Sequence, residues 1–174
     1  MNKMGWKIQF SKRNNFSCAS SMVMKCTEED LWNLLSRPGH LKNIHPLCKD
    51  HFSNDWTGVG SMDTILYKND AKRERSVLKW IPRNLLTLKV VNPINNASSF
   101  VEWQISKNHQ PNSCRLSVTL FTNTYQNIPR PIWPLYRRFK LEKSYKKYFE
   151  SVLTGFCNEC QIISSEKNEA NRII

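Results

Sequence analysis

The stretch "IWPLYRRFKLEKSYKKYFESVLTGFCNECQII" (132–163) decides the fold. Within it Leu141, Tyr145, Tyr148, Phe149, Val152 and Phe156 recur at three- and four-residue spacing, which places them on one face of a helix. Lys140, Lys143, Lys147 and Glu150 occupy the opposite face. Pro131 and Pro134 stand before or within a first turn, where amide hydrogens have no helical partner, so the helix starts near Trp133 or Leu135. A lone helix of this length has nothing of its own against which to bury its apolar stripe, and it must lie on a sheet.

The residues upstream supply that sheet. Phe16, Cys18, Met22 and Met24 alternate with Ser17, Ser21 and Lys25, so 15–26 reads as a strand. Thr27 then caps a helix whose first turn is Glu28, Glu29 and Asp30, and whose buried face is Leu31, Trp32, Leu34 and Leu35. Pro38 and Gly39 stop it, and a second short helix runs from about His40 to Ile44. Strand-like segments follow at 48–56, 61–68, 73–81, 85–92, 99–107 and 114–123, separated by short turn-rich gaps that imply an antiparallel meander. Leu78 with Trp80, Val101 with Trp103 and Ile105, and Leu116 with Val118 and Leu120 each share a parity, so each trio or pair is expected to face the long helix. On that alternation Glu74 joins Leu78 and Trp80, while Arg73 and Arg75 take the other face with Val77. In 61–68, Met62 and Leu66 share one parity and Ile65 and Tyr67 the other, which leaves that strand's inner face open.

At 174 residues the chain suits one domain, with an N-terminal extension (1–14), a folded body (15–163) and a flexible tail (164–174). No apolar run approaches the twenty residues that cross a bilayer, and Met1 to Arg13 lacks the apolar core of a secretory signal, so a cytoplasmic protein is expected. Six cysteines are scattered along the chain; reduced, buried thiols behave as small apolar side chains. Cys157 and Cys160 form a CxxC, but no second CxxC or paired histidine completes a metal site.

The composition is strongly basic, with 26 Lys and Arg against 14 Asp and Glu for a net charge of +12. Such an excess favours anionic partners without choosing among them. Arg137, Arg138, Lys140, Lys143, Lys146 and Lys147 fall within eleven residues, offset only by Glu142. They form either a solvated helix face or a contact with an anionic surface. No metal-finger spacing, RNP-like strand or recognition helix is present, so no specific nucleic acid is expected.

The order of elements, with "CTEEDLWNLLSRPGHLKNIHPLC" (26–48), "WTGVGSMDTILY" (56–67), "VLKWIP" (77–82) and "YFESVLTGF" (148–156), resembles the SRPBCC superfamily. Its START-like, helix-grip fold is shared with the birch-pollen allergen and the polyketide cyclases. The resemblance spans nearly the whole chain. It implies an α+β fold: a curved seven-stranded antiparallel sheet wrapped around the C-terminal helix, with two short helices after the first strand and a hydrophobic cavity between sheet and helix. Members of that superfamily bind lipids, sterols, polyketides or other aromatic and isoprenoid molecules, and some are enzymes; the fold alone does not fix the chemistry.

Candidate ligand contacts are Trp80, Trp103, Tyr145, Tyr148, Phe149 and Val152, with Glu74 and Tyr67 as polar additions. Tyr145 and Tyr148 stand out because a buried phenol needs a hydrogen-bond partner that a ligand can supply. The chain has no G-x-S-x-G elbow, H-E-x-x-H or P-loop pattern, and it implies no cofactor and no metal. Three functions follow as expectations. The first is binding of a hydrophobic or amphipathic small molecule in the cavity. The second is a cyclase or dehydratase using Glu74, His45 or Glu102 as acid or base, with no catalytic residue fixed. The third is electrostatic binding of nucleic acid or anionic membrane through 137–147, which salt would weaken steeply. No oligomeric state follows from the sequence.

Overall fold

The structure is a computed structural model that describes residues 16–122 and 131–170. The N-terminal extension and the last four residues lie outside the described residues. Strand β1 (Phe16–Met24) leads into helices α1 (Glu28–Leu35) and α2 (Leu41–Ile44). Six strands follow: β2 (Cys48–Asp55), β3 (Met62–Tyr67), β4 (Lys72–Ile81), β5 (Leu85–Val91), β6 (Ser98–Lys107) and β7 (Cys114–Thr122). The chain ends in a continuous helix made of α3 (Trp133–Tyr136), a π-helical turn (Arg137–Leu141) and α4 (Glu142–Ala170). Among the described residues no helix is long and apolar enough to cross a membrane.

All seven strands form one antiparallel sheet in the order β1-β7-β6-β5-β4-β3-β2. The six later strands are a meander, and β1 closes the far edge by pairing along its length with β7, Phe16 opposite Thr122 and Met24 opposite Cys114. The concave face of the sheet holds α4, whose Phe149, Val152, Leu153, Phe156 and Cys160 are buried. Thr27 caps α1 as its sequence demands, accepting the Asp30 amide at 3.1 Å.

The inner faces of β6 and β7 follow the alternation: Trp103, Ile105, Leu116, Val118 and Leu120 are buried. Strand β4 does not. Arg75 and Val77 are buried, whereas Leu78 is 43% exposed and Glu74 is paired outward with Lys72 at 3.1 Å. Val77 pairs with Leu88 and Lys79 with Thr87, so Leu78 is an extra residue, a β-bulge. The bulge resets the parity, which is why Trp80 returns to the concave side although Leu78 and Glu74 do not face it. In β3, Asp63 and Ile65 are buried and Met62 is 60% exposed, which settles the inner face of that strand.

Helix α4 continues through the segment read as a tail, as far as Ala170. Its final turns are tied down: the Ser164 hydroxyl donates to the Lys25 carbonyl at 2.5 Å, and Lys167 pairs with Asp30 at 2.5 Å. These contacts join residues almost the length of the chain apart, and the polar local sequence gives no sign of them. Near the middle of α4, Gly155 passes so close to α2 that a Cβ there would sit 1.9 Å from the Ile44 carbonyl oxygen. That close approach sets α2, and with it His45, against the long helix.

Candidate functional site

Between the sheet and α4 lies a cavity of about 610 Å³. One wall is apolar: Ile65, Leu88, Val101 and Leu120 from the sheet, with Phe149 and Val152 from α4. Tyr67, Trp103, Tyr145, Tyr148, Phe149 and Val152, all expected as ligand contacts, line it together. Two expected contacts do not. Trp80 packs against Trp32 and Trp56, at ring-centroid separations of 5.3 and 6.1 Å, and belongs to the core. Glu74 faces away from the cavity because of the β4 face described above. Glu102 also points outward, since it alternates with Val101 and Trp103, which line the cavity.

The polar side of the cavity is built around His45, at the end of α2. Its Nδ1 accepts the Leu47 amide at 3.0 Å, which places the proton on Nε2. Nε2 therefore donates to the Tyr148 hydroxyl oxygen at 2.7 Å. Tyr148 and Tyr67 share a further hydrogen bond of 3.2 Å. Two phenols have two protons, and their mutual bond uses one. Whichever of them donates in that bond, the other keeps a proton for an acceptor inside the cavity. Burial lowers the His45 imidazole to about 4, with Arg75 adding to the effect, so it is neutral near pH 7. Burial, and then the neighbouring Tyr67, raises the Tyr148 phenol well above its ordinary value. His45 and Tyr148 are thus an uncharged pair. The buried Tyr148 hydroxyl has partners within the protein, His45 and Tyr67, in addition to any that a ligand supplies.

Beside this wall sits a buried ionic cluster that local pattern gives little reason to expect. Arg75 grips Asp63 with both Nε, at 2.8 Å, and Nη2. His51 accepts the Leu41 amide at Nδ1 (3.2 Å), so its Nε2 donates to Asp63 at 2.7 Å. In that tautomer the 3.1 Å approach of Arg75 Nη2 to His51 Nε2 is a meeting of two donors rather than a hydrogen bond. Burial alone would raise the Asp63 carboxyl, but the Arg75 charge and the hydrogen bonds from Arg75 and His51 outweigh it and hold the group at about 2. The available signal was a charge on an apolar parity: Asp63 shares its face with Ile65 and Tyr67. Burial also lowers His40, which contacts this cluster, to about 3.

Among the described residues, no group of three or more His, Cys, Asp or Glu is placed to hold a metal ion. Cys160 turns inward, 2.7 Å from Cys26, and Cys157 is half-buried; both are free thiols. The exposed side of α4 carries Lys143 and Lys147, away from the cavity.

No protein-family model matches the sequence, and no curated protein matches it either. Solved structures do match the fold. A START superfamily protein from Mycobacterium smegmatis superposes with a TM-score of 0.65 at 9% identity, over 84% of this chain and 98% of that one. A protein of unknown function from Staphylococcus aureus gives 0.67 at 9% identity, over 87% and 98%. A Thalictrum norcoclaurine synthase, solved with a transition-state analogue, gives 0.62 at 9% identity, over 86% and 96%. The sheet order, the two short helices after β1 and the gripped C-terminal helix agree with these neighbours: the chain has the START-like, helix-grip fold.

Proposed function

We propose that this protein binds an apolar small molecule in the cavity between sheet and α4, oriented by a hydrogen bond from the Tyr67–Tyr148 pair to an acceptor oxygen on the ligand. The observation that carries the reading is the combination of a cavity of about 610 Å³, an apolar wall and one spare phenol proton. Few, well-placed polar groups in an apolar hollow are the usual makeup of a small-molecule site. Burial of ligand surface supplies the free energy, about 25 cal/mol per Å² before the losses of association. The neighbour that holds a transition-state analogue supports the reading by shared fold alone. An enzymatic version would have to use His45 or the two phenols, because Glu74 and Glu102 lie outside the cavity.

The test is native mass spectrometry of the protein as purified, followed by a thermal-shift panel of fatty, isoprenoid, polyketide and polycyclic aromatic compounds. A co-purifying apolar molecule, or a rise in Tm that Trp103→Ala removes and Lys143→Ala leaves intact, supports the proposal. No bound molecule and no shift across the panel would sink it.

A second reading draws on the start of the final helix. Ile132, Leu135 and Phe139 are 53, 60 and 67% exposed, among the exposed cations Arg137, Arg138 and Lys140. Apolar side chains interleaved with cations suit an anionic bilayer surface better than nucleic acid. We propose that this face rests on such a bilayer. Flotation with phosphatidylserine-containing vesicles should be lost in Phe139→Ser and at high salt. Equal flotation of that variant would contradict the proposal.

A further inference from the structure

We infer that the cavity's ligand is an acid: an apolar body ending in a carboxylate or phosphate, whose oxygens are taken by Arg73 and Lys68 at the turn between β3 and β4. The inference rests on the cavity reading above and adds the charge of the occupant.

Three cationic side chains line the cavity, Lys68, Arg73 and Arg75, and among the described residues no aspartate or glutamate does. Arg75 is already neutralised by Asp63. Arg73 is not. It lies two residues earlier on the same inward face, opposite Ile65, and its Nη1 donates to the Lys72 carbonyl at 2.7 Å. A guanidinium carries five N–H donors in a planar fork, so this leaves most of them for an oxyanion. Lys68 likewise has no ion pair among the described residues.

The carboxylates at this turn are committed elsewhere. Asp70 pairs with Lys49 at 2.8 Å and Glu74 with Lys72 at 3.1 Å, both on well-exposed side chains. The turn therefore satisfies its acids with outward lysines and leaves its inward cations open. Tyr67, which shares the spare phenol proton, pairs across the turn with Ala71, its amide donating to the Ala71 carbonyl at 2.9 Å. That places its ring diagonal to Arg73 on the same face. A phenol donor and a guanidinium converging on one spot, with Trp103 and Val152 against the remainder of the hollow, match an amphipathic acid and disfavour an amine.

Two matched sets of probes test this on the full-length protein, below their micelle concentrations, by calorimetry: dodecanoate, dodecyl phosphate, dodecanol and dodecylamine, and naphthoate, naphthyl phosphate, naphthol and naphthylmethylamine. In at least one set the acids should bind about tenfold or more tighter than the alcohol, and the amine more weakly still. Arg73→Gln should remove that preference while leaving alcohol affinity unchanged, and Arg73→Lys should keep part of it. Phosphate tighter than carboxylate points to a phosphorylated ligand, and the reverse order to a carboxylic acid. Equal binding of acid and alcohol in both sets, or a preference untouched by Arg73→Gln, overturns the inference and leaves the cavity reading standing. No binding by any probe overturns both.

Discussion

His45 and Tyr148, 103 residues apart in sequence, share a 2.7 Å hydrogen bond that joins the end of α2 to the second turn of α4. The bond is directional, because the Leu47 amide occupies the other ring nitrogen and fixes the tautomer. It makes the phenol of Tyr148 an acceptor from the protein and releases one phenol proton of the pair to the cavity. The direction of hydrogen bonding in this site is therefore set by a backbone amide.

Removing either hydroxyl separates the structural part of this relay from the binding part. Tyr148→Phe leaves the His45 Nε2–H without its acceptor, and a buried donor without a partner costs about 1–3 kcal/mol. The melting temperature should fall by roughly 3–10 °C. Tyr67→Phe should cost under about 1 kcal/mol of stability, since its ring is half-buried, yet weaken an acceptor-bearing ligand as much. Differential scanning calorimetry of both variants with and without ligand checks this, and identical profiles would contradict the relay.

Asp63→Asn should be among the most damaging conservative changes in the chain. It removes the countercharge of Arg75, whose side chain is only 6% exposed, and breaking a buried pair in this way costs about 3–5 kcal/mol. The double variant Asp63→Asn with Arg75→Met should recover part of the loss, because no uncompensated charge then stays buried. Urea unfolding of the single and double variants measures the difference.

Acid should destabilise the fold from about pH 6.5 downward. His40 and His45 are held at about 3 and about 4 in the folded chain, mainly by burial, against 6.5 when unfolded. Between those values the unfolded chain binds more protons than the folded one, so stability falls as pH falls, by up to about 1.4 kcal/mol per pH unit for each imidazole. Below 3.8 the Asp63 carboxyl, held at about 2, adds a further loss in the same direction. His45→Gln should flatten the slope between pH 6.5 and 4, as read from urea midpoints across that range. An unchanged slope would contradict the assignment.

Gly155→Ala should destabilise through overpacking rather than propensity. Alanine is the better helix former by about 1 kcal/mol, but its Cβ would meet the Ile44 carbonyl oxygen at 1.9 Å. The helix or α2 must then shift, at a cost of about 1–3 kcal/mol. Chemical denaturation gives the sign: a stabilised variant would mean that the two helices move apart freely.

Trp103 and Trp80 provide a paired control. Both are large and both face the concave side, but only Trp103 lines the cavity. Either one changed to Ala should lose about 3 kcal/mol or more of stability, somewhat less for the half-buried Trp80. Ligand affinity, measured at matched folded fraction, should drop only for Trp103→Ala.

Much of this molecule is legible in local pattern. The strands begin and end within a residue or two of where alternation and turn residues place them, and Thr27 with its acidic first turn announces α1. The aromatic stripe of α4 marks the cavity wall because helical spacing alone fixes which side chains share a face. Where the reading of the sequence and the structure part, a long-range or non-repeating feature is responsible. One extra residue at Leu78 reversed the inferred face of β4, moving Arg75 inward and Glu74 outward. The tail became helix because Lys25 and Asp30 hold Ser164 and Lys167.

The kind, order and amphipathic faces of most elements follow from local sequence, since they depend on residues a few positions apart. Which polar groups meet is a property of the folded chain in three dimensions. His45 reaches Tyr148, Asp63 takes Arg75, and among the described residues Arg73 and Lys68 have no carboxylate, because charge and hydrogen-bond pairing are set by distance in space and no periodicity encodes it.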